Sequence, residues 1–551
     1  MTLPGALAAL LVFADTVQAG NPLLLDTMKH ELDREFAALS KAPDHPAYYL
    51  SYLVIESGSF RATGAWGGLT QSQRSLDRFL DLDLRVGSPA LDNTHRNTQD
   101  FGAFSVPLGP DAGSLRADLW LETQRRYREA VERFIKIEAD HAIKVKEEDP
   151  SPDFAAAPKA AYAVDAAPVS VSGSTWEDIV RRVSAEFRKF PSVLECNVQF
   201  QARTQARWFA NSEGAAIAQS RPVLEVSVWA HSRGEDGMDF ALYRPFYGRT
   251  EADLPPEADL AREAGEVGRL LTALRDAPLV DPFVGPAILS GRAAAVLFHE
   301  VRGHRLEGHR QKDEQADQTF TKQLGKRILP EFLSVVSDPT RESLGRTALM
   351  GFYRYDDEGV KAERVTLVDR GVLKAFMMSR SPVRGFPASN GHGRKQAGKS
   401  AVSRQSSLLV EAAKTVPAAA LRRDLVARLK KLGKPYGLLF DDIEGGFTFT
   451  GRTIPNAFNV MPVVVYRVFA DGRPDELVRG VDLIGTPLST LDRIVAAGDD
   501  MGVFNGYCGA ESGYVPVAAA CPSLLVSEVE VQRKQKGQER PPLLPAPRTP
   551  T

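Results

Sequence analysis

Three of the chain's nine histidines fall within eleven residues, in the stretch His299-Glu300-Val301-Arg302-Gly303-His304-Arg305-Leu306-Glu307-Gly308-His309. An apolar run, Ala293-Ala294-Ala295-Val296-Leu297-Phe298, leads into it. Two histidines with a glutamate directly after the first are the donor set of a zinc hydrolase. Neutral imidazoles hold the metal, and the carboxylate takes a proton from metal-bound water. In the common His-Glu-x-x-His arrangement the rings lie about 40° apart around a helix. Here the second histidine is at i+5, about 140° round an ideal α-helix. A regular helix would not aim both rings at one ion. Gly303 offers a way out: the helix can widen by a π-type turn or end there. The competing reading is a helix with incidental histidines.

On this chemistry Glu300 is the general base, and the alternative for it is a surface salt bridge to Arg302 or Arg305. A third ligand is needed, and Cys508 is the best candidate. Thiolate binds zinc well, and Gly506 and Gly509 around it would let a loop approach the ion closely. Three other readings stand beside it: a disulfide with Cys521, a buried free thiol, or a site completed by His309, which continues the 299, 304, 309 spacing. Glu307 is either a partner that orients a ligand imidazole or a helix-surface carboxylate. His392 lies in a glycine-rich loop that can border the cleft, although a loop histidine more often faces solvent.

The elements that must position these groups fall into two sets. Helical periodicity places helices over 26–39, 117–142, 176–187 and 258–277. Strand patterns occur at 48–55, 81–86 (alternating, with one wet face), 194–200, 206–210 and 223–231. Helix followed by hairpins occurs twice, as in two halves of one module. Residues 147–174, rich in Pro, Ala, Ser and Asp, read as a flexible linker or long surface loop. From 284 onward the pattern changes to many short β-like runs, with one amphipathic helix in 415–432. The expected class is α+β. An N-terminal mixed domain (21–280) precedes a largely β C-terminal domain (281–533) that carries the metal helix, and 534–551 is a disordered tail.

With 551 residues and 43% hydrophobic content, the chain is long enough for two or three domains. A formal net charge of -2 gives no electrostatic case for nucleic-acid binding. Three cysteines, Cys196, Cys508 and Cys521, make no disulfide framework. No apolar run is long enough to span a bilayer as a helix. The short run Leu3 to Ala14, then Val17-Gln18-Ala19 before Gly20, fits a signal peptide over 1–20 and export to a periplasmic or extracellular space. No Lys or Arg precedes that run, so a buried N-terminal helix in a cytoplasmic protein is the alternative.

His299-Glu300-x-x-x-His304 followed by Leu306-Glu307-Gly308 resembles the signature of the TldD/PmbA family, metallopeptidases also called modulators of DNA gyrase. Downstream, Val336-Ser337-Asp338-Pro339, Tyr355-Asp356-Asp357-Glu358-Gly359, Asn390-Gly391-His392-Gly393-Arg394, Leu483-Ile484-Gly485-Thr486-Pro487 and Gly506-Tyr507-Cys508-Gly509 keep that family's order. The N-terminal half is similar only loosely. The resemblance implies a metal held by His299, His304 and Cys508, and a catalytic, TldD-like type acting on unstructured peptides. It also implies a homodimer or a heterodimer with a related subunit. The family includes non-catalytic subunits that lack the histidine-glutamate motif, and a peptide- or partner-binding role of that kind is the alternative. Two positions depart from the family pattern: His309 stands where Asp is expected, and His392 where a small or polar residue is expected.

Overall fold

The computed structural model describes residues 22–96, 102–109, 111–143, 148–164, 171–314, 316, 318–448, 458–485, 491–534 and 542. The 1–20 segment and almost all of 534–551 lie outside the described residues.

In the N-terminal part, α1 (Pro22–Leu39), β1 (Ala47–Ala65), β2 (Gly68–Ser88) and α2 (Ala112–Ile143) precede α3 (Gly173–Ala185), β3 (Val193–Asn211), β4 (Ala216–Arg233), β5 (Asp239–Gly248) and α4 (Glu257–Asp276). The two hairpins join through antiparallel β1–β3 pairing, with Val54 opposite Trp208, to form one mixed sheet of eight strands. One half packs Met28, Leu32, Leu115 and Leu119 of α1 and α2 against Tyr52, Val54 and Leu82. The other packs Val180, Val183, Leu260 and Leu271 of α3 and α4 against Val198 and Val226. The runs 194–200 and 206–210, expected as separate strands, are one strand. Gln201, Arg203 and Gln205 between them do not break it, because they lie on the sheet face turned toward the C-terminal domain.

That covered face also corrects the reading of 81–86. Its polar positions are not wet: Asp81 and Arg85 are buried. Lys395 Nζ donates to Asp81 at 3.0 Å. The 147–174 segment is no free tether in its described part. Phe154 stacks edge-on with Tyr49 at 4.8 Å and lies beneath the guanidinium groups of Arg85 and Arg380. Ala155 donates to the Arg380 carbonyl at 2.8 Å, and Ala161–Ala163 adds a short parallel strand to β4.

In the C-terminal part, β6 (Phe283–Leu289) feeds α5 (Gly291–Phe298). There follow β7 (Leu333–Ser337), β8 (Val365–Asp369), β9 (Ser407–Ala412), α6 (Ala418–Leu432), β10 (Tyr436–Thr448), β11 (Phe458–Phe469), β12 (Val481–Gly485), β13 (Ile494–Ala510) and β14 (Gly513–Arg533). Strand pairing runs β14–β12–β11–β10–β6 and returns from β6 to β14, with Leu289 opposite Leu524, so these strands close on one another. Closure removes open edges and encloses an apolar core. The helix α5 belongs to that core: Ala293 through Phe298 are all buried. The chain is therefore α+β, with a mixed N-terminal domain and a largely β C-terminal domain that contains the histidine-bearing helix.

Candidate metal centre

Ser290 starts α5 by accepting a bond from Ala293 N–H at 3.3 Å, while its own hydroxyl donates to the Asp441 carbonyl at 2.7 Å. The first turn packs backbone to backbone on β13, which only glycine permits. A Cβ on Gly291 would sit 2.3 Å from Gly502 N, and one on Gly502 would sit 2.1 Å from Arg292 N. The α-helix ends at Phe298, and His299–Gly303 forms one π turn before a short 3₁₀ turn, His304–Leu306. In a π turn residues five apart are hydrogen-bonded neighbours, so the 299/304 spacing brings both rings to one side. Gly303 makes room for this: a Cβ there would overlap the buried Gln405 amide, whose Nε2 donates to the His299 carbonyl at 3.3 Å.

The partner comes from across the domain. Cys508 lies in strand β13, opposite Val515 of β14, rather than in the loop expected from its flanking glycines. Its Sγ is 3.2 Å from His304 Nε2. The His299 and His304 rings meet edge-on at 5.2 Å. Donor atoms of His299, His304 and Cys508 all lie within 4.8 Å of one another, close enough to share one ion. All three residues are buried.

Burial alone would push the Cys508 thiol up, but His304 and then His299 hold it well below the usual thiol range. Burial disfavours charge on His304 as well, yet Cys508 and then Glu307 hold it well above an ordinary histidine. A buried thiolate facing two imidazoles, one with an unpartnered Nδ1 on His299, is a donor set that a cation would complete. These residues fit a metal, and two imidazoles with a thiolate suit zinc.

Glu307 is fully buried and is not a surface carboxylate. It meets His304 Nδ1 at 3.3 Å and accepts from Arg310 Nε at 3.0 Å, and Arg404 Nε lies 3.4 Å from its other oxygen. Burial opposes its charge, but His304 and Arg310 bring its pKa down to about 2. A carboxylate behind an imidazole fixes the tautomer and aims the ring. Glu300 lies beside His299 and makes no ion pair with Arg302 or Arg305. Arg302 donates to the Ile328 carbonyl, and Arg305 to Val301 and Thr448.

His309 does not join the cluster. It pairs with Glu511 at the β13–β14 turn, and Arg310 also holds Glu511, at 3.0 Å. His309 therefore clamps the tip of the hairpin that carries Cys508. His392 is neither at the cleft nor solvent-facing. It is fully buried, with Nε2 2.9 Å from Ser337 Oγ and Nδ1 2.9 Å from Asn390 Oδ1, and burial lowers its pKa to about 4. Cys508 and Cys521 are both free thiols, and Cys521 sits opposite Gly502, well down the same hairpin.

Arg404 was not singled out by its sequence context. Its guanidinium donates to the Cys508 carbonyl at 2.7 Å, to Ser512 Oγ at 2.8 Å and to the Gly513 carbonyl at 3.0 Å, while also facing Glu307. One side chain thus links the histidine turn to the cysteine hairpin. The run Ser403-Arg404-Gln405-Ser406 is uniformly polar and reads as surface, yet all four residues are buried.

Residues 284–533 match the family model described as the PmbA/TldA metallopeptidase C-terminal domain. A metalloprotease of Methanocaldococcus jannaschii is 28% identical over 231 residues, 42% of this chain and 47% of the relative, so that match spans about half the relative's length. A metalloprotease of Methanothermobacter thermautotrophicus is 26% identical over 346 residues, 62% of this chain and 70% of the relative. Among solved structures, TldE from Thermococcus kodakarensis superposes with a TM-score of 0.60 at 14% identity, over 92% of this chain and all of TldE (100%). A Thermotoga maritima structure named for modulation of a DNA gyrase gives 0.63 at 17% identity, over 91% of this chain and 99% of its own. The two structures share the fold across both domains, and the family-model match covers the part of the chain that holds the histidine turn and Cys508; residues 284–533 are a C-terminal domain of the TldD/PmbA metallopeptidase family.

Proposed function

We propose that this chain is a catalytically active, zinc-dependent peptidase of the TldD-like type, cleaving peptide bonds in unfolded or extended peptides. The observation that carries this is the convergence of His299, His304 and Cys508, with Glu300 directly after the first histidine. A zinc ion held there would supply Lewis acidity toward the scissile carbonyl and make a bound water more acidic. Glu300 accepts the proton of the attacking water and returns it to the leaving amine. Its carboxylate makes no hydrogen bond to the described residues, which leaves it free for that task. Glu307 keeps His304 aimed, and Arg404 with Glu511 keeps the Cys508 hairpin in place.

The alternative is a non-catalytic peptide-binding or partner subunit. Retention of both histidines, Glu300 and Cys508 favours the active form. The experiment is metal analysis of purified protein alongside cleavage of an unstructured peptide. The wild type is expected to carry one zinc per chain and to cleave. Glu300→Gln is expected to keep the zinc and lose at least about two orders of magnitude in rate. Near-normal turnover by the variant would remove Glu300 from the mechanism. We further propose assembly as a homodimer or with a related subunit, and export with a mature end near Gly20. Light scattering and N-terminal sequencing test these, and retention of Met1 in the mature protein would exclude the second.

A further inference from the structure

A cavity of about 630 Å³ lies between the N-terminal sheet and the C-terminal domain, apart from the histidine–cysteine cluster. Its wall carries more positive charge than its carboxylates can match. Arg203, Arg221, Arg249 and Arg394 all line it, and none forms an ion pair with a described residue. The lining carboxylates are already engaged. Asp357 holds Arg207, Glu342 holds Arg354, Glu225 accepts from Tyr243, and Asp356 accepts backbone N–H groups of Glu358, Val360 and Gly393. Arg221 has only the carbonyls of Met350 and Phe352, at 3.0 and 2.9 Å. Burial, then Arg207 and Arg394, push its pKa down to about 9, the mark of a cation among cations. Arg249 Nε is buried without a partner.

The arrangement of these charges narrows the ligand. In the β3–β4 pairing Arg221 stands opposite Gln205, between Arg203 and Arg207. These three therefore follow one another along one face of the sheet at alternate-residue spacing, about 7 Å per step. An extended peptide repeats its side chains with the same period. A single compact anion would instead need guanidinium groups converging on one point. Aromatic rings of Phe352, Tyr353, Tyr507 and Tyr514 complete the wall and suit chain contacts between charges. Tyr507 adjoins Cys508, but alternation along β13 turns it to the other face. The cavity is thus separate from the proposed bond-cleaving centre.

We propose that this cavity is a binding site for the carboxylates of an extended acidic peptide segment, a substrate preference that rests on the peptidase reading above. Planar guanidinium groups bind carboxylates bidentately, and a bound acidic chain would neutralise the unpaired arginines. The test measures binding rather than turnover, using the full chain carrying Glu300→Gln and a fluorescent glutamate-rich peptide beside its glutamine counterpart. The acidic peptide is expected to bind about tenfold or more tighter at low salt, with the difference shrinking as salt rises. Adding Arg221→Met is expected to weaken the acidic peptide about tenfold and leave the glutamine peptide unchanged. Its melting temperature should stay level or rise, because an unpaired, half-buried charge has been removed. Equal binding of the two peptides, or a lower melting temperature with an unchanged affinity ratio, would overturn the proposal. Displacement of the peptide by equimolar inorganic phosphate would also overturn it, by indicating a compact anion site. Cleavage of the glutamine peptide by wild type, scored separately, reports on the peptidase reading alone.

Discussion

At the scale of single residues, two histidines of one short stretch have different tasks. His304 faces Cys508 and Glu307, whereas His309 is held by Glu511 at the hairpin tip. This divides the expected effects of mutation. Cys508→Ala should abolish stoichiometric zinc binding, since it removes a donor outright. His309→Ala should retain zinc while loosening the hairpin, seen as lower affinity in a chelator competition. Full occupancy in Cys508→Ala combined with loss in His309→Ala would transfer the ligand role to His309. The residue readings differ in how far sequence could carry them. The histidine-glutamate spacing is visible in the chain, but the burial of His392 and Glu307 depends on what folds over them.

At the scale of elements, the decisive feature is where α5 stops being an α-helix. Its start is fixed by the Gly291–Gly502 backbone contact, and its end opens into a π turn at His299–Gly303. The histidine turn and the cysteine strand meet at this helix, because β13 passes over its first turn and carries Cys508 further along. Gly502→Ala would place a Cβ against the Arg292 backbone nitrogen, where no side-chain rotation relieves the overlap. We expect a loss of roughly 1–3 kcal/mol in unfolding free energy. Zinc affinity should fall with it, since the helix must shift away from the hairpin. Denaturant unfolding with and without zinc measures both, and an unchanged midpoint and affinity would show that the contact is dispensable.

At the scale of the whole molecule, the two domains are joined by buried charge. Lys395 meets Asp81, Arg207 meets Asp357, and Arg380 reaches Glu213 and the Ala155 carbonyl. Within this seam burial leaves Glu358 with a raised pKa, outweighing the Arg380 N–H that donates to it at 2.7 Å and the charges of Arg380 and Arg85, all of which lower it. The folded chain therefore binds a proton there more tightly than the unfolded chain does. Stability from this group is greatest below the ordinary carboxylate range and declines as pH climbs from that range through the raised value. Glu358→Gln should flatten the fall in melting temperature between pH 5 and pH 8. A wild-type melting temperature that rises over the same interval, with the same rise in the variant, would contradict the assignment.

The sequence by itself determined the α+β class, the repeated helix-and-hairpin order of the N-terminal part, and the change to β structure after 284. It also marked Gly303 as the residue that lets the helix widen into a π-type turn. All of these follow from local periodicity and from the steric freedom of glycine, which neighbouring residues express. Only the tertiary structure decided that 194–211 is one strand, that the polar face of 81–86 is covered, and that 147–174 is fastened to both domains in its described part. Only it revealed Arg404, Gln405 and Glu511 as the groups that hold the histidine turn and the cysteine hairpin together. A polar run reads as solvent-facing until its partners are known, and here those partners lie on other strands and in the other domain.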